Sequence, residues 1–147
     1  MCIRDRLYAA RADHLERLIR PALARGAFVL SDRFADSTRA YQGAGGGASP
    51  QMIDMLEAMV VGAARPDLTL VFDLPVEVGL ARAIARGGAE QRFERKGLAF
   101  HQRLREGFLA IADAEPQRCR VINADDSIDR VEAAVWAAVS AHLEEMS

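Results

Sequence analysis

Lysine is nearly missing from this chain: Lys96 is the only one, although lysine and arginine together number 19 in 147 residues. No G-x-x-x-x-G precedes it, so the sequence holds no G-x-x-x-x-G-K-[ST] loop, whose backbone N–H groups would cradle phosphates. Cysteine is scarce too. Cys2 and Cys119 cannot make a disulfide framework, and His14, His101 and His142 lack metal-ligand spacing. No Ser-His-Asp or Cys-His order stands out for nucleophilic catalysis. There is no signal-peptide apolar core and no run long enough to span a bilayer, so a cytoplasmic protein with no membrane partner is expected. A net charge of −2 and a pI near 5.9 give no broad basic field, and no nucleic-acid partner is expected.

What the chain does have is a core's worth of apolar residues, half of the total, at the size of one globular domain. Leu7, Leu15, Leu18, Ile19 and Ala22 recur at helical spacing, with Pro21 perturbing the last turns and Gly26 as the stop. Phe28–Ser31 reads as a buried strand. After the turn Gly43–Gly47, Ser49 caps a helix with Pro50 at its first position and Ile53, Leu56, Met59 and Val60 on one face. Leu68–Phe72 is a second strand, ending at Asp73, and Pro75 starts a helix carrying Leu80, Ala83 and Ile84. Gly87-Gly88 interrupts before Phe93, Phe100, Leu104, Phe108 and Ile111 define a long amphipathic helix that Pro116 ends. Cys119–Ile122 is a third strand, and Ser127 caps a last helix with Ile128, Val131, Val135 and Val139. Strand alternating with helix predicts an α/β fold with a parallel sheet.

The stretch Asp32-Arg33-Phe34, followed by Ser37-Thr38 and Tyr41-Gln42, sets a carboxylate and a guanidinium at the end of the first apolar run. In open α/β sheets ligands bind beyond the carboxyl ends of strands, so this segment reads as a phosphate and base pocket. Arg11 is the sharpest single anomaly. It lies four residues after Leu7 and four before Leu15, in the apolar stripe of its helix, where a guanidinium needs a partner. Two readings stay open: a site residue, or a side chain snorkelling at the stripe's edge or paired with Asp13 or Glu16.

Several motifs follow one another in the order Leu7-Tyr8-Ala9-Ala10-Arg11, Ile19-Arg20-Pro21-Ala22-Leu23, Ser31 to Gly43, Arg65-Pro66-Asp67-Leu68-Thr69-Leu70 with Asp73, and Arg92-Phe93-Glu94. Together they resemble thymidylate kinases, the P-loop enzymes that phosphorylate dTMP. The resemblance runs from Leu7 to about Leu143. It implies a nucleoside monophosphate kinase fold with three recognisable strands flanked by helices and the P-loop strand missing. Met1–Arg6 is then expected to be a non-native leader, 7–147 one partial domain, and residues 86–97 a lid. In such a fold the P-loop strand lies between Phe28–Ser31 and Leu68–Asp73, so the chain is expected to be marginal and inactive alone.

By the same resemblance, ATP phosphorylates dTMP with Mg²⁺ in a homodimer. Arg11 bonds a thymine carbonyl, Leu7 packs where the family usually stacks phenylalanine, and Ser37, Thr38, Tyr41 and Gln42 line base and sugar. Arg33 meets the acceptor phosphate and the transferring group, and Asp32 holds magnesium through water. Arg92 is the lid's catalytic arginine. Arg86 assists on the ATP side, where Asn123 and Ala124 contact adenine. Two alternatives remain: another deoxynucleotide kinase, or a non-enzymatic fragment that binds a nucleotide or a partner.

Overall fold

A computed structural model describes residues 3–44, 47–86 and 97–146, which pack as two compact units, Met1–Arg65 and Pro66–Ser147.

The first unit is helical. Helix α1 (Ile3–His14) passes through a π-helical turn (Leu15–Ile19) into α2 (Arg20–Ala24). Pro21 explains the widened turn: it has no N–H to give to Arg17, and its ring crowds that carbonyl, so the preceding turn loosens. Leu15 and Ile19 of that turn join Ala35 and Val61 in the core, with Val29, Phe34, Val60 and Ala64 packed against them. Gly26 ends α2 in the left-handed region (φ 73°), its N–H donating to the Leu23 carbonyl at 2.9 Å.

The expected strand Phe28–Ser31 does not form a ladder: residues 27–31 carry no regular structure and no strand of the described residues pairs with them. Of its apolar run only Val29 is covered, while Leu30 is 98% exposed. A strand exists through its neighbours' hydrogen bonds, and an apolar run of three residues cannot supply them.

Two short turns follow, α3 (Ala35–Thr38) and a π-helical turn (Arg39–Ala44), before α4 (Pro50–Val60) and a 3₁₀ turn (Gly62–Ala64). Ser49 occupies the N-cap of α4 with Pro50 behind it, as the sequence indicates. Its hydroxyl, however, donates to Gln51 Oε1 at 2.8 Å rather than capping the helix. The inward face of α4 also differs from expectation. Ile53 and Glu57 are buried and Leu56 and Val60 half-buried, whereas Met59 is exposed.

The second unit is built on two parallel strands, β1 (Thr69–Asp73) and β2 (Cys119–Asn123), in register from Thr69 opposite Cys119 to Asp73 opposite Asn123. Helices α5 (Val76–Arg86) and α6 (Leu98–Ala114) lie between them in sequence, and α7 (Ile128–Glu145) follows. Helix α6 packs on both strands and α7 on β2. The α/β fold with a parallel sheet flanked by helices therefore stands, with two strands in the ladder among the described residues where three were expected. Phe100, Leu104, Ile111 and Ala112 form the buried face of α6, but Ile84 and Ile128, expected on inner faces, are exposed. Ser127 caps α7 by accepting from the Arg130 N–H at 3.4 Å. Buried Arg118 joins the two strand starts, donating to Glu115 Oε2 (2.6 Å) and Thr69 Oγ1 (2.9 Å). Among the described residues no helix is long and apolar enough to cross a membrane.

Candidate functional site

Arg11 leaves α1 at the point where Tyr8, one turn earlier, is buried and its hydroxyl donates to the Ile53 carbonyl of α4 at 3.3 Å. That bond ties α1 to α4 and leaves the tyrosine ring as a floor under the guanidinium, 5.1 Å away; the Phe34 ring lies 5.2 Å away. From this cage Arg11 Nη2 donates to the Phe34 carbonyl at 3.1 Å and to Thr38 Oγ1 at 3.0 Å. Nη1 is buried without a hydrogen-bond partner among the described residues. Burial holds the guanidinium below its ordinary pKa, opposed by the fields of Tyr8, Glu57 and Asp36. A cationic donor is thus kept partly desolvated with one N–H group unspent. The pairing with Asp13 or Glu16 does not occur, because those carboxylates hold Arg17 (2.5 Å) and Arg20, each one turn on.

Thr38 is buried at the end of α3, and Ser37, Tyr41 and Gln42 are half-buried around it, so these sequence-selected residues gather in one unit with Arg11. Arg33 takes a left-handed conformation, φ 65°, the only non-glycine among the described residues to do so. The Ser31 hydroxyl fastens this turn by donating to the Arg33 carbonyl at 3.0 Å, and the Arg33 guanidinium lies 5.2 Å from the Tyr41 ring. Asp32 and Leu7 are exposed. As a lone carboxylate Asp32 suits magnesium only if water and substrate phosphates complete the six ligands, which is the ion's common habit.

Sequence reasoning passed over Glu57. Its side chain is 3% exposed on α4; Oε1 accepts from Arg65 Nη2, and Arg39 Nε stands 3.9 Å from Oε2. Arg39 Nη1 in turn donates to Asp36 Oδ1 at 3.1 Å. The signal was present: Glu57 interrupts the stripe Ile53, Leu56, Val60 as Arg11 interrupts its own. Because removing Arg65 leaves the buried Glu57 carboxylate with the longer Arg39 contact, Arg65→Ala is expected to cost about 2–4 kcal/mol of the unit's stability, somewhat less than breaking a wholly buried pair. Urea denaturation with a tyrosine fluorescence readout would measure it; a loss below 1 kcal/mol, roughly an exposed pair's worth, would mean Glu57 needs no such partner.

In the second unit Asp73, at the carboxyl end of β1, accepts from Arg105 of α6 through Nε (2.6 Å) and Nη2 (2.9 Å). This fork lowers the Asp73 pKa from its ordinary 3.8, the hydrogen bonds from Arg105 being the main cause. A depressed carboxylate stabilises the fold fully above its unfolded pKa and loses that contribution as pH falls through the lower folded value. Asp73→Asn should therefore lower the urea midpoint at pH 7, and the gap to the parent should begin to narrow as the pH approaches the ordinary 3.8 and close only below the lower folded value. An equal gap at both pH values would show a packing effect instead.

Of the residues selected for a nucleotide donor, Asn123 accepts at its side-chain oxygen from the Asp125 N–H (3.0 Å). The Ala124 carbonyl accepts from Arg82 Nη1 (2.9 Å), and its N–H donates to the Asp73 carbonyl (2.7 Å). These bonds hold the loop after β2 against the end of β1. Arg86 is exposed at the end of α5. Arg92, and with it the interior of the expected lid, lies outside the described residues.

Residues 6–135 match the family model described as thymidylate kinase. The chain belongs to the thymidylate kinase family. A thymidylate kinase from Caulobacter vibrioides is 66% identical over 129 residues, which cover 88% of this chain and 62% of that protein. One from Pseudomonas putida strain W619 is 54% identical over 138 residues, covering 94% and 66%. The crystal structure of thymidylate kinase from Ehrlichia chaffeensis superposes with a TM-score of 0.69 at 32% identity, covering 90% of this chain and 60% of that one. The chain spans about three fifths of the length of the first curated thymidylate kinases it matches. Arg11, Thr38 and Arg33 all fall inside the span that matches the thymidylate kinase family.

Proposed function

We propose that this chain carries the acceptor-nucleotide half of a dTMP kinase, in which the γ-phosphoryl group of ATP is transferred to dTMP to give dTDP. The observation that carries the reading is the unspent Arg11 Nη1 on a guanidinium whose Nη2 donates to Thr38 Oγ1. Thr38 accepts one hydrogen bond from Arg11 and keeps a second lone pair, so the two residues offer a donor beside an acceptor. Thymine presents the matching edge, the O4 acceptor beside the N3–H donor, while cytosine inverts both.

In this reading Tyr41 packs on the sugar and disfavours a 2′-hydroxyl, Leu7 packs against the base, and Ser37 and Gln42 complete the polar wall. Arg33 meets the acceptor phosphate and the charge spread over the transferring group. Asp32 would hold magnesium through water, and the ion would neutralise charge on the transferring phosphates. Arg86, Arg92, Asn123 and Ala124 serve the ATP side. A cytoplasmic homodimer is part of the same proposal.

Arg11→Ala tests it. Facing cytosine, the arginine donor meets another donor, a mismatch worth roughly 1–3 kcal/mol, so the chain should bind dTMP more tightly than dCMP by about tenfold or more. The variant should lose most of that preference while staying folded. Equal binding of the two nucleotides by the parent would end the base-reading assignment.

A further inference from the structure

Two buried polar atoms of the first unit have no hydrogen-bond partner among the described residues: Arg11 Nη1, a cationic donor, and Glu57 Oε2, an anionic acceptor. They are close enough to feel one another's charge, yet they do not pair. What separates them is visible in the bonding. Glu57 is engaged by Arg65 and faced by Arg39, Asp36 is engaged by Arg39, and Arg11 is turned toward Phe34 and Thr38. The guanidinium that keeps a free N–H is Arg11, whose Nη2 donates to two neutral oxygens.

We propose that Glu57 is a positioning residue for nucleotide-base selection. Through Arg39 it fixes the Asp36–Arg39 turn that presents Thr38, and it supplies counter-charge behind Arg11 without consuming the Nη1 donor. Were a carboxylate bonded directly to Nη1, the donor would be spent; were none nearby, a half-buried guanidinium would be held in place by rings and neutral oxygens alone. The covalent link is short, since Thr38 and Arg39 are adjacent, and α4 is the common anchor: it carries both Glu57 and the Ile53 carbonyl that holds Tyr8 beneath Arg11. This inference rests on the base-reading roles of Arg11 and Thr38.

The test is equilibrium binding of dTMP and of dCMP to the full chain, its Glu57→Gln variant and its Arg39→Gln variant, with melting followed in parallel. Glutamine keeps the volume of Glu57 and removes its charge. The ratio of dTMP to dCMP affinity is expected to shrink roughly tenfold in Glu57→Gln, within the range found for residues in one network, and by less in Arg39→Gln. In an Arg11→Ala background Glu57→Gln should change the ratio no further. A purely structural residue would instead weaken both nucleotides alike. Should Glu57→Gln fail to fold, Arg39→Gln decides, since it cuts the link and leaves the Glu57–Arg65 pair. A parent preference for dTMP that neither variant alters would overturn the positioning role alone. No preference in the parent would overturn it together with the base-reading assignment.

Discussion

Incubated with ATP, Mg²⁺ and dTMP, the 147-residue chain is expected to form no dTDP above an enzyme-free blank. Phosphoryl transfer asks little covalent chemistry of a protein; it needs the two nucleotides aligned and the charge on the transferring oxygens met by fixed donors. The sequence contains residues suited to the acceptor side, Arg11, Arg33 and Thr38, but no G-x-x-x-x-G-K-[ST] loop to fix the β- and γ-phosphates of the donor. Lys96, the only lysine, follows no glycine cradle that could place it on a phosphate. Alignment and preorganised charge each account for several orders of magnitude in rate. Fusing ahead of Leu7 a strand-and-loop segment bearing that motif from a thymidylate kinase should therefore raise turnover by about a thousandfold or more. A coupled assay for ADP, checked by chromatographic detection of dTDP, would measure both proteins. Robust turnover by the chain itself would show that phosphate alignment comes from elsewhere in these residues.

The sequence made visible those features whose cause is local. Strands β1 and β2 followed from short apolar runs bounded by Pro66-Asp67 and Pro116, and the end of α2 from Gly26, whose φ of 73° suits glycine. Arg11 stood out because a guanidinium in an apolar stripe is costly wherever it goes. Where it goes was not visible: its partners Phe34 and Thr38 lie 23 and 27 residues away, and only packing of the first unit brings them within 3.1 Å. The alternative partners Asp13 and Glu16 were lost to a stronger local rule, an acid one turn before a base, which gives them Arg17 and Arg20. Phe28-Val29-Leu30 failed as a strand for the opposite reason, since a ladder needs a neighbour that no local pattern can specify. Glu57 was hidden by counting Met59 into the face of α4; the true stripe carries the acid, and its neutralisation by Arg39 and Arg65 depends on the turns on either side.

Replacing Arg33 should separate its chemistry from its conformation. Its φ of 65° is a strain that an alanine would keep and a glycine would relieve, by about 1 kcal/mol. Its guanidinium rests 5.2 Å from the Tyr41 ring in an exposed turn, so in the proposed role it would give up only a weak cation–π contact to meet a phosphate. In the loop-bearing fusion, Arg33→Ala and Arg33→Gly are both expected to lower turnover by about a hundredfold or more, the usual cost of deleting one donor aimed at developing charge. Both should also weaken dTMP binding through the lost phosphate contact. Their stabilities should diverge instead, with Arg33→Gly at least as stable as the parent and Arg33→Ala no better than it. Steady-state kinetics with the two variants, set beside urea denaturation of each, would read both effects. Near-normal turnover and dTMP affinity in the two variants would remove Arg33 from the acceptor site, and its left-handed turn would then stand as a feature of the fold alone.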